Sequence, residues 1–210
     1  MNIVLMSQDE PFFIPSTLKK IYVSRKSDIK AVIISSSDGS NIIDKIDKQI
    51  KFMGLKVFII YTLDYIYKKI SDFINIGKPE KLHNPKLYFR KNGVPFLEEE
   101  DVNNDSFIEK ISLFHPDLII SISSPKIFRD KLLNLPKKGC INLHGSYLPD
   151  YRGLMPAFWQ LYNNEKYAGI TVHKMASRID NGPIVKQKKF RISDSETHYS
   201  LVKKSKAMGA

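Results

Sequence analysis

The chain is poor in the groups that would tie it together covalently or hold a soft metal. One of its 210 residues, Cys140, is a cysteine, which excludes an internal disulfide and a cysteine-based zinc cluster. No apolar run approaches the ~18–20 residues of a membrane span, and no basic stretch ahead of a long apolar segment marks a secretion signal at Met1–Ser7. The cytoplasm is the expected compartment, with no membrane partner. No Gly-x-Gly-x-x-Gly follows the first apolar run, so a Rossmann dinucleotide loop is not expected. Internal repeats and low-complexity tracts are missing too. Hydrophobic residues make up 42% and charged residues 26%, a balance that suits one globular domain with a substantial core.

Acidic residues are outnumbered, leaving a formal net charge of +11. A basic surface can bind nucleic acid, anionic lipid or phosphorylated substrates. Here the lysines are scattered, with short clusters at Lys137–Lys138, Lys186–Arg191 and Lys203–Lys206. Scatter of this kind reads first as a solvated surface, with an RNA-binding module as the second reading.

Apolar runs at Ile3–Met6 and Ile29–Ser35 read as buried strands, separated by a helix from about Pro15 to Val23 that has proline at its entry. The turn signal Ser-Ser-Asp-Gly-Ser closes the second run. Strand, helix and strand at this spacing predict a parallel sheet with right-handed crossovers. Over 42–76, lysine and aspartate alternate with Ile, Phe, Leu and Tyr at helical spacing, with Asp44, Lys45, Asp47, Lys48 and Lys51 on one polar face and an aromatic-rich helix from Tyr61 to Ile76. The simpler reading is an inserted helical pair packed on the sheet, and the alternative is a partner-binding groove. Gly77–Pro85 reads as a polar linker, Gly93–Leu97 as a short strand and Asn104–Phe114 as a helix. Asp117–Ser123 is a nearly all-apolar central strand. Ser123–Phe128 reads as the capped start of a helix to about Leu133 or, in a functional role, as lining of a crevice beside the loop after Asn142 and His144, and Gly139–Leu143 as the next strand. Pro156–Tyr162 is a helix with Trp159 in the core or a pocket wall, and Ala168–Met175 and Pro183–Ile192 are strands around a turn. From Glu196 the pattern is helical to Ala210, as in a chain whose carboxyl-terminal portion is absent or truncated.

The stretch the rest is organised around is Cys140–Gly153. Its strand ends on Asn142 and His144, and alternation puts both on one face just before a Gly/Pro loop. Polar side chains delivered together at a strand's carboxyl end are what a ligand crevice in an open α/β sheet requires. Asp180, by contrast, lies in an Asp-Asn-Gly-Pro sequence that on its own reads as turn chemistry.

Three ordered motifs then carry a resemblance: Asn142–Gly153 (Asn-Leu-His-Gly-Ser-Tyr-Leu-Pro-Asp-Tyr-Arg-Gly), Gly169–Met175 and Arg178–Ile184. Together they resemble the amino-terminal catalytic domain of the 10-formyltetrahydrofolate-dependent formyltransferases, closely from about 117 to 192, loosely over 1–36 and 93–116, and not over roughly 40–90. The resemblance implies a three-layer, Rossmann-like α/β fold with a mostly parallel central sheet and helices on both faces. It implies one catalytic domain over 1–210 carrying a helical insertion at about 40–90. It makes Asn142, His144 and Asp180 the catalytic group for moving a formyl group from 10-formyltetrahydrofolate to an amine. Asn142 would donate to the developing oxyanion, His144, if protonated, would do the same and shuttle protons, and Asp180 would raise the histidine's pKa. Ser146, Tyr147, Leu148 and Pro149 would line the folate site, and Lys126, Ile127 and Phe128 would contact the pterin, with Ile179 completing the pocket. No metal is needed.

Branches of that family differ in the amine. The glycinamide-ribonucleotide branch has a Gly-rich phosphate loop after the first strand, which Ser7–Phe13 is not. The methionyl-tRNA branch shares the His-Gly-Ser-x-Leu-Pro pattern, and the sugar-nucleotide branch shares Asn-Leu-His-Gly-Ser, a Trp in the following helix and a Thr-x-His-x-Met strand. The expectation is a small-molecule amine on a nucleotide-linked sugar, with methionyl-tRNA as the alternative. Phosphoribosylglycinamide, or a non-catalytic folate- or RNA-binding protein, comes behind these.

Overall fold

In the computed structural model, residues 1–35 and 42–210 are described, so the turn expected at 36–40 lies outside the described residues. Seven strands form one sheet in the order β3-β2-β1-β4-β5-β6-β7. The first five, β1 (Ile3–Gln8), β2 (Ile29–Ser35), β3 (Phe96–Glu99), β4 (Leu118–Ile122) and β5 (Cys140–His144), run parallel, while β6 (Tyr167–Lys174) and β7 (Ile184–Arg191) add an antiparallel edge. The expected α/β class and mostly parallel sheet are present.

Alternation along the strands divides the core. Ile3 and Leu5 of β1 pack with Ile14, Leu18 and Tyr22 of α1 (Ile14–Ser24) on one face. Val4 and Met6 pack on the other with Phe107 and Ile111 of α5 (Asp105–Ser112) and Leu132 of α6 (Asp130–Leu133). Both faces are therefore dry, and the strands read as continuous apolar runs.

Between β2 and β3 the chain forms α2 (Ile42–Met53), α3 (Leu55–Ile74), one 3-10 turn at Pro79–Lys81 and α4 (Pro85–Lys91). The segment read as a linker thus ends in a helix. Asn84 Oδ1 accepts from Leu87 N at 3.1 Å and Pro85 stands in the first turn, the start signal of a helix whose Tyr88 and Phe89 are buried. Its C-terminus uses Gly93 (φ 71°) and the bond from Val94 N to Phe89 O, so β3 begins later than expected. Of the polar face expected on α2, the side chains of Lys45 and Lys48 lie outside the described residues. Aromatic contacts of α3 go to the β1–α1 loop and to the last helix. Tyr61 of α3 meets Phe12 of the β1–α1 loop edge-on at 4.5 Å and Tyr199 of α8 (His198–Gly209) at 5.4 Å.

Ser123–Phe128 does not open a helix either. Ser123 has φ 54° and α6 starts only at Asp130, which leaves 123–129 as a loop at the end of β4. Trp159 on α7 (Pro156–Tyr162) is 47% exposed and belongs to neither core nor pocket wall. Among the described residues no helix is long and apolar enough to cross a membrane.

Candidate active site

The sheet order reverses between β1 and β4, where successive crossovers leave in opposite directions, and the crevice outside such carboxyl ends is the expected ligand site. A cavity of about 620 Å³ opens there. Gln8 at the end of β1, Ser121 of β4 and Ser123–Phe128 in the loop after it, Asn142 and His144 of β5, and Lys206 of α8 all contribute to its wall.

Asn142 and His144 share the face of β5 that carries Cys140 into the second core cluster. Beyond α6 that face has no helix to bury it, so its last two even positions meet the cavity. Asp180 arrives on the β6–β7 turn, in the left-handed region at φ 46°, a conformation that Asp tolerates better than most residues. The turn folds back so closely that a Cβ on Gly182 would stand 1.8 Å from Lys174 O. Only glycine fits there, and the tight return aims Asp180 inward.

The three side chains converge. His144 Nδ1 lies 3.4 Å from Asp180 Oδ2, and Asn142 Nδ2 donates to Asp180 Oδ1 at 3.4 Å. Gly153 N also donates to Oδ2, at 2.8 Å, tying the Gly/Pro loop to the β6–β7 turn. The second ring nitrogen of His144 lies 2.8 Å from Tyr151 O. A carbonyl can only accept, so in the neutral ring Nε2 carries the hydrogen and Nδ1, facing Asp180, is the basic atom.

Burial pushes His144 below the ordinary histidine value, and the nearby Asp180 carboxylate offsets this only in part. Asp180 raises the value as expected, but the net shift is downward, because taking an imidazolium out of water costs more here than one carboxylate returns. For Asp180 burial favours the neutral acid, but the bond with His173, the charge of His144 and the Gly153 N–H together hold it below the usual carboxylate range. The pair at neutral pH is a neutral imidazole beside a carboxylate.

His173 is a member of this cluster that sequence reasoning did not single out. It sits opposite Asn142 in the β5–β6 register, with Nε2 3.3 Å from Asp180 Oδ1 and 3.3 Å from Asn142 Nδ2, and Nδ1 2.9 Å from Lys174 O. The available signal was a histidine alternating with Thr171 in an otherwise apolar strand. It lies beneath Asp180 and Asn142 and is within reach of both.

Lys126, Ile127, Phe128 and Ile179 line the cavity, whereas Ser146, Tyr147, Leu148 and Pro149 do not. That loop turns inward against β6. Thr171 Oγ1 donates to Ser146 O at 2.7 Å and accepts from Leu148 N at 3.1 Å, Gln187 donates to Leu148 O at 2.6 Å, and Gln160 to Gly145 O at 2.9 Å. Ser146 and Leu148 are buried, and Tyr147 lies under Lys189, whose ammonium is 4.2 Å from the ring centre.

The family profile described as "Formyl transferase" matches residues 29–209. The chain is 37% identical over 154 residues to the bifunctional polymyxin resistance protein ArnA of Wigglesworthia glossinidia brevipalpis, covering 72% of this chain and 22% of that protein. It is 39% identical over 136 residues to the methionyl-tRNA formyltransferase of Thermodesulfovibrio yellowstonii, covering 64% of this chain and 44% of that one. The chain thus spans less than half the length of either relative. Among solved structures, the phosphoribosylglycinamide formyltransferase of Anaplasma phagocytophilum superposes with a TM-score of 0.67 at 17% identity, over 98% of this chain and 79% of that one. A sugar N-formyltransferase from Shewanella superposes with 0.58 at 19% identity, over 99% and 64%. At these identities the structures attest the shared fold.

Proposed function

The chain belongs to the formyl transferase family, and on that premise we propose that it moves a formyl group from 10-formyltetrahydrofolate to the primary amine of a nucleotide-linked sugar. The observation that carries the reading is the convergence of Asn142, His144 and Asp180 from two separate segments onto one cavity wall.

The cavity's volume of about 620 Å³ and its apolar wall of Ile127, Phe128, Met155 and Met175 suit a flat heterocycle, with Lys126 at the rim. Bound there, the folate supplies the formyl group. Asp180, ionised at neutral pH, is placed to take the proton that the attacking amine must lose. His144 Nδ1 can receive that proton across 3.4 Å and hold it in an ion pair until it leaves with the departing nitrogen. The Asn142 amide is held by two long contacts of 3.3–3.4 Å, so it can turn a hydrogen toward the charge developing on the formyl oxygen at little cost.

Three features support a phosphate-bearing, base-bearing acceptor. Lys206, half-buried and with its pKa lowered to about 8 by desolvation, reaches the cavity wall and donates to Ser123 Oγ. Beside it the buried Ser205 Oγ, also on the wall, has no hydrogen-bond partner among the described residues. Just past the wall residues Leu154–Ala157, and outside the wall itself, α7 carries Phe158 and Tyr162 stacked at 5.8 Å with Trp159 edge-on to both, aromatic groups of the kind on which a nucleobase stacks. A phosphate at the start of α1 is disfavoured. The Glu10 carboxylate accepts from Phe12, Phe13 and Ile14 N at 2.7–3.1 Å and fills the seat that a Gly-rich loop would offer an anion. The net charge of +11 favours methionyl-tRNA as the second reading.

The test is release of tetrahydrofolate from 10-formyltetrahydrofolate in the presence of amino-sugar nucleotides, methionyl-tRNA and phosphoribosylglycinamide. Turnover is expected with an amino-sugar nucleotide, and Asp180→Asn should slow it by about 100-fold or more. Turnover with methionyl-tRNA alone replaces the acceptor, and none with any amine removes formyl transfer. Undiminished turnover by the Asn variant removes Asp180 from the mechanism.

A further inference from the structure

Helix α3 is packed with its polarity reversed. Phe58, Tyr61, Lys68 and Asp72, at helical spacings of three, seven and four, are drawn in toward the body. Lys68 Nζ lies 5.2 Å from the Phe12 ring centre, and the buried Asp72 carboxylate accepts from His83 N and, at 2.9 Å, Asn84 N. Lysine and aspartate thus anchor the inner side. The outer side carries Ile59, Leu63, Ile66, Ile70 and Phe73 at spacings of four and three, a heptad seam. Ile60, Tyr67 and Ile74 widen it on one flank. At 100° per residue the two seams lie on opposite sides of the helix.

Every outer residue is solvent-exposed, from 46% at Ile66 to 81% at Phe73. Hydrophobic side chains in that number on one stripe are not the scattered exposure of an ordinary surface. Their exposed area comes to roughly 900 Å² per chain, well beyond the largest patch of a typical monomer. Two such stripes together would bury about 1,800 Å², within the range of a stable specific interface.

We propose that this face pairs with a second copy of the same chain, α3 against α3 across a two-fold axis near Ile66. The seam supports this because it is nearly symmetric about Ile66: Ile59 and Phe73 lie equally far to either side, and Leu63 and Ile70 differ by a single residue in their distance from it. An antiparallel crossing sets Ile66 against its own counterpart, Leu63 against Ile70 of the partner subunit and Ile59 against Phe73 of the partner subunit, which is the self-complementarity a two-fold contact demands. The edges are polar and balanced, Thr62 and Lys69 on one, Asp64 and Ser71 on the other, as a rim should be. A helix lying in an anionic membrane surface would instead carry a strongly cationic border. This pairing is independent of the reading of the active site, since none of the outer residues lines the cavity.

The experiment is light scattering and sedimentation of the full chain between about 1 and 100 µM, so that a concentration-dependent mass is seen. A species of twice 24.2 kDa is expected, and Leu63→Glu with Ile70→Glu should halve the mass while leaving the circular dichroism spectrum unchanged. Mixing that variant with Leu63→Lys/Ile70→Lys should restore the double mass through opposite charges across the seam. Ile66→Cys gives an independent reading. Cys140 is buried, so mild oxidation should yield a disulfide-linked dimer through position 66 even where the charged variants fold poorly. A parent chain that stays monomeric and an Ile66→Cys variant that does not cross-link overturn the proposal. So does a monomer that sediments with phosphatidylglycerol vesicles, which would assign the face to a lipid surface.

Discussion

At His144 burial and a carboxylate pull in opposite directions, and the balance falls to burial. Its folded pKa lies below the usual 6.5, so between the two values the unfolded chain binds more protons than the folded one. Stability contributed by this residue is then fully present above pH 6.5 and declines as the pH falls toward the folded value. A nuclear magnetic resonance titration should place the imidazole midpoint below 6.5. Asp180→Asn, which removes the one opposing carboxylate, should move it lower still. A midpoint unchanged in that variant would mean that Asp180 does not act on the ring. Asn142 and His144 were legible because alternation alone puts them together. Asp180 was not, since the same Asp-Asn-Gly-Pro sequence serves any tight turn, and only its company in two other motifs distinguishes it. His173 escaped notice because its role depends on β6 lying against β5, a pairing between segments that no local pattern announces.

Strand β6 holds the Gly/Pro loop in place from below, and its Thr171 hydroxyl alone bridges Ser146 O and Leu148 N. Valine has nearly the same shape but no hydroxyl, and would leave both backbone groups buried and unpaired. Thr171→Val should therefore destabilise the fold by roughly 1–3 kcal/mol, seen as a lower denaturant midpoint, and should weaken donor binding by loosening the loop. A variant as stable as the parent would mean that the loop is held by Gln160 and Gln187 instead. Among the other elements, those with a single apolar face were read correctly, as at α1 and α5. Helix α4 was masked by the polar residues preceding it, although Asn84 and Pro85 carried its start. Helix α3 had the right periodicity, but periodicity does not say which side meets the body, and there the usual apolar-inside rule fails.

For the molecule as a whole, the order of the sheet does most to explain the site. Apolar runs at β1, β2 and β4 were enough to infer a parallel sheet, and the absence of a glycine fingerprint was enough to set aside a dinucleotide. The reversal at β1 and β4 then leaves an open crevice into which β5 delivers its last two polar residues. The helical segment between β2 and β3 adds a surface apart from that crevice. One buried residue gives access to the sheet's own motions. Cys140 lies in β5 between β4 and β6, with its thiol pushed up to about 12 by burial, so a thiol reagent can reach it only when the strand carrying Asn142 and His144 comes loose. Native protein should resist labelling, and the rate should rise with denaturant in step with global unfolding. Rapid labelling in plain buffer would show that β5 frays separately. The chain's lone thiol is thus a built-in clock for how long the strand that carries Asn142 and His144 stays closed.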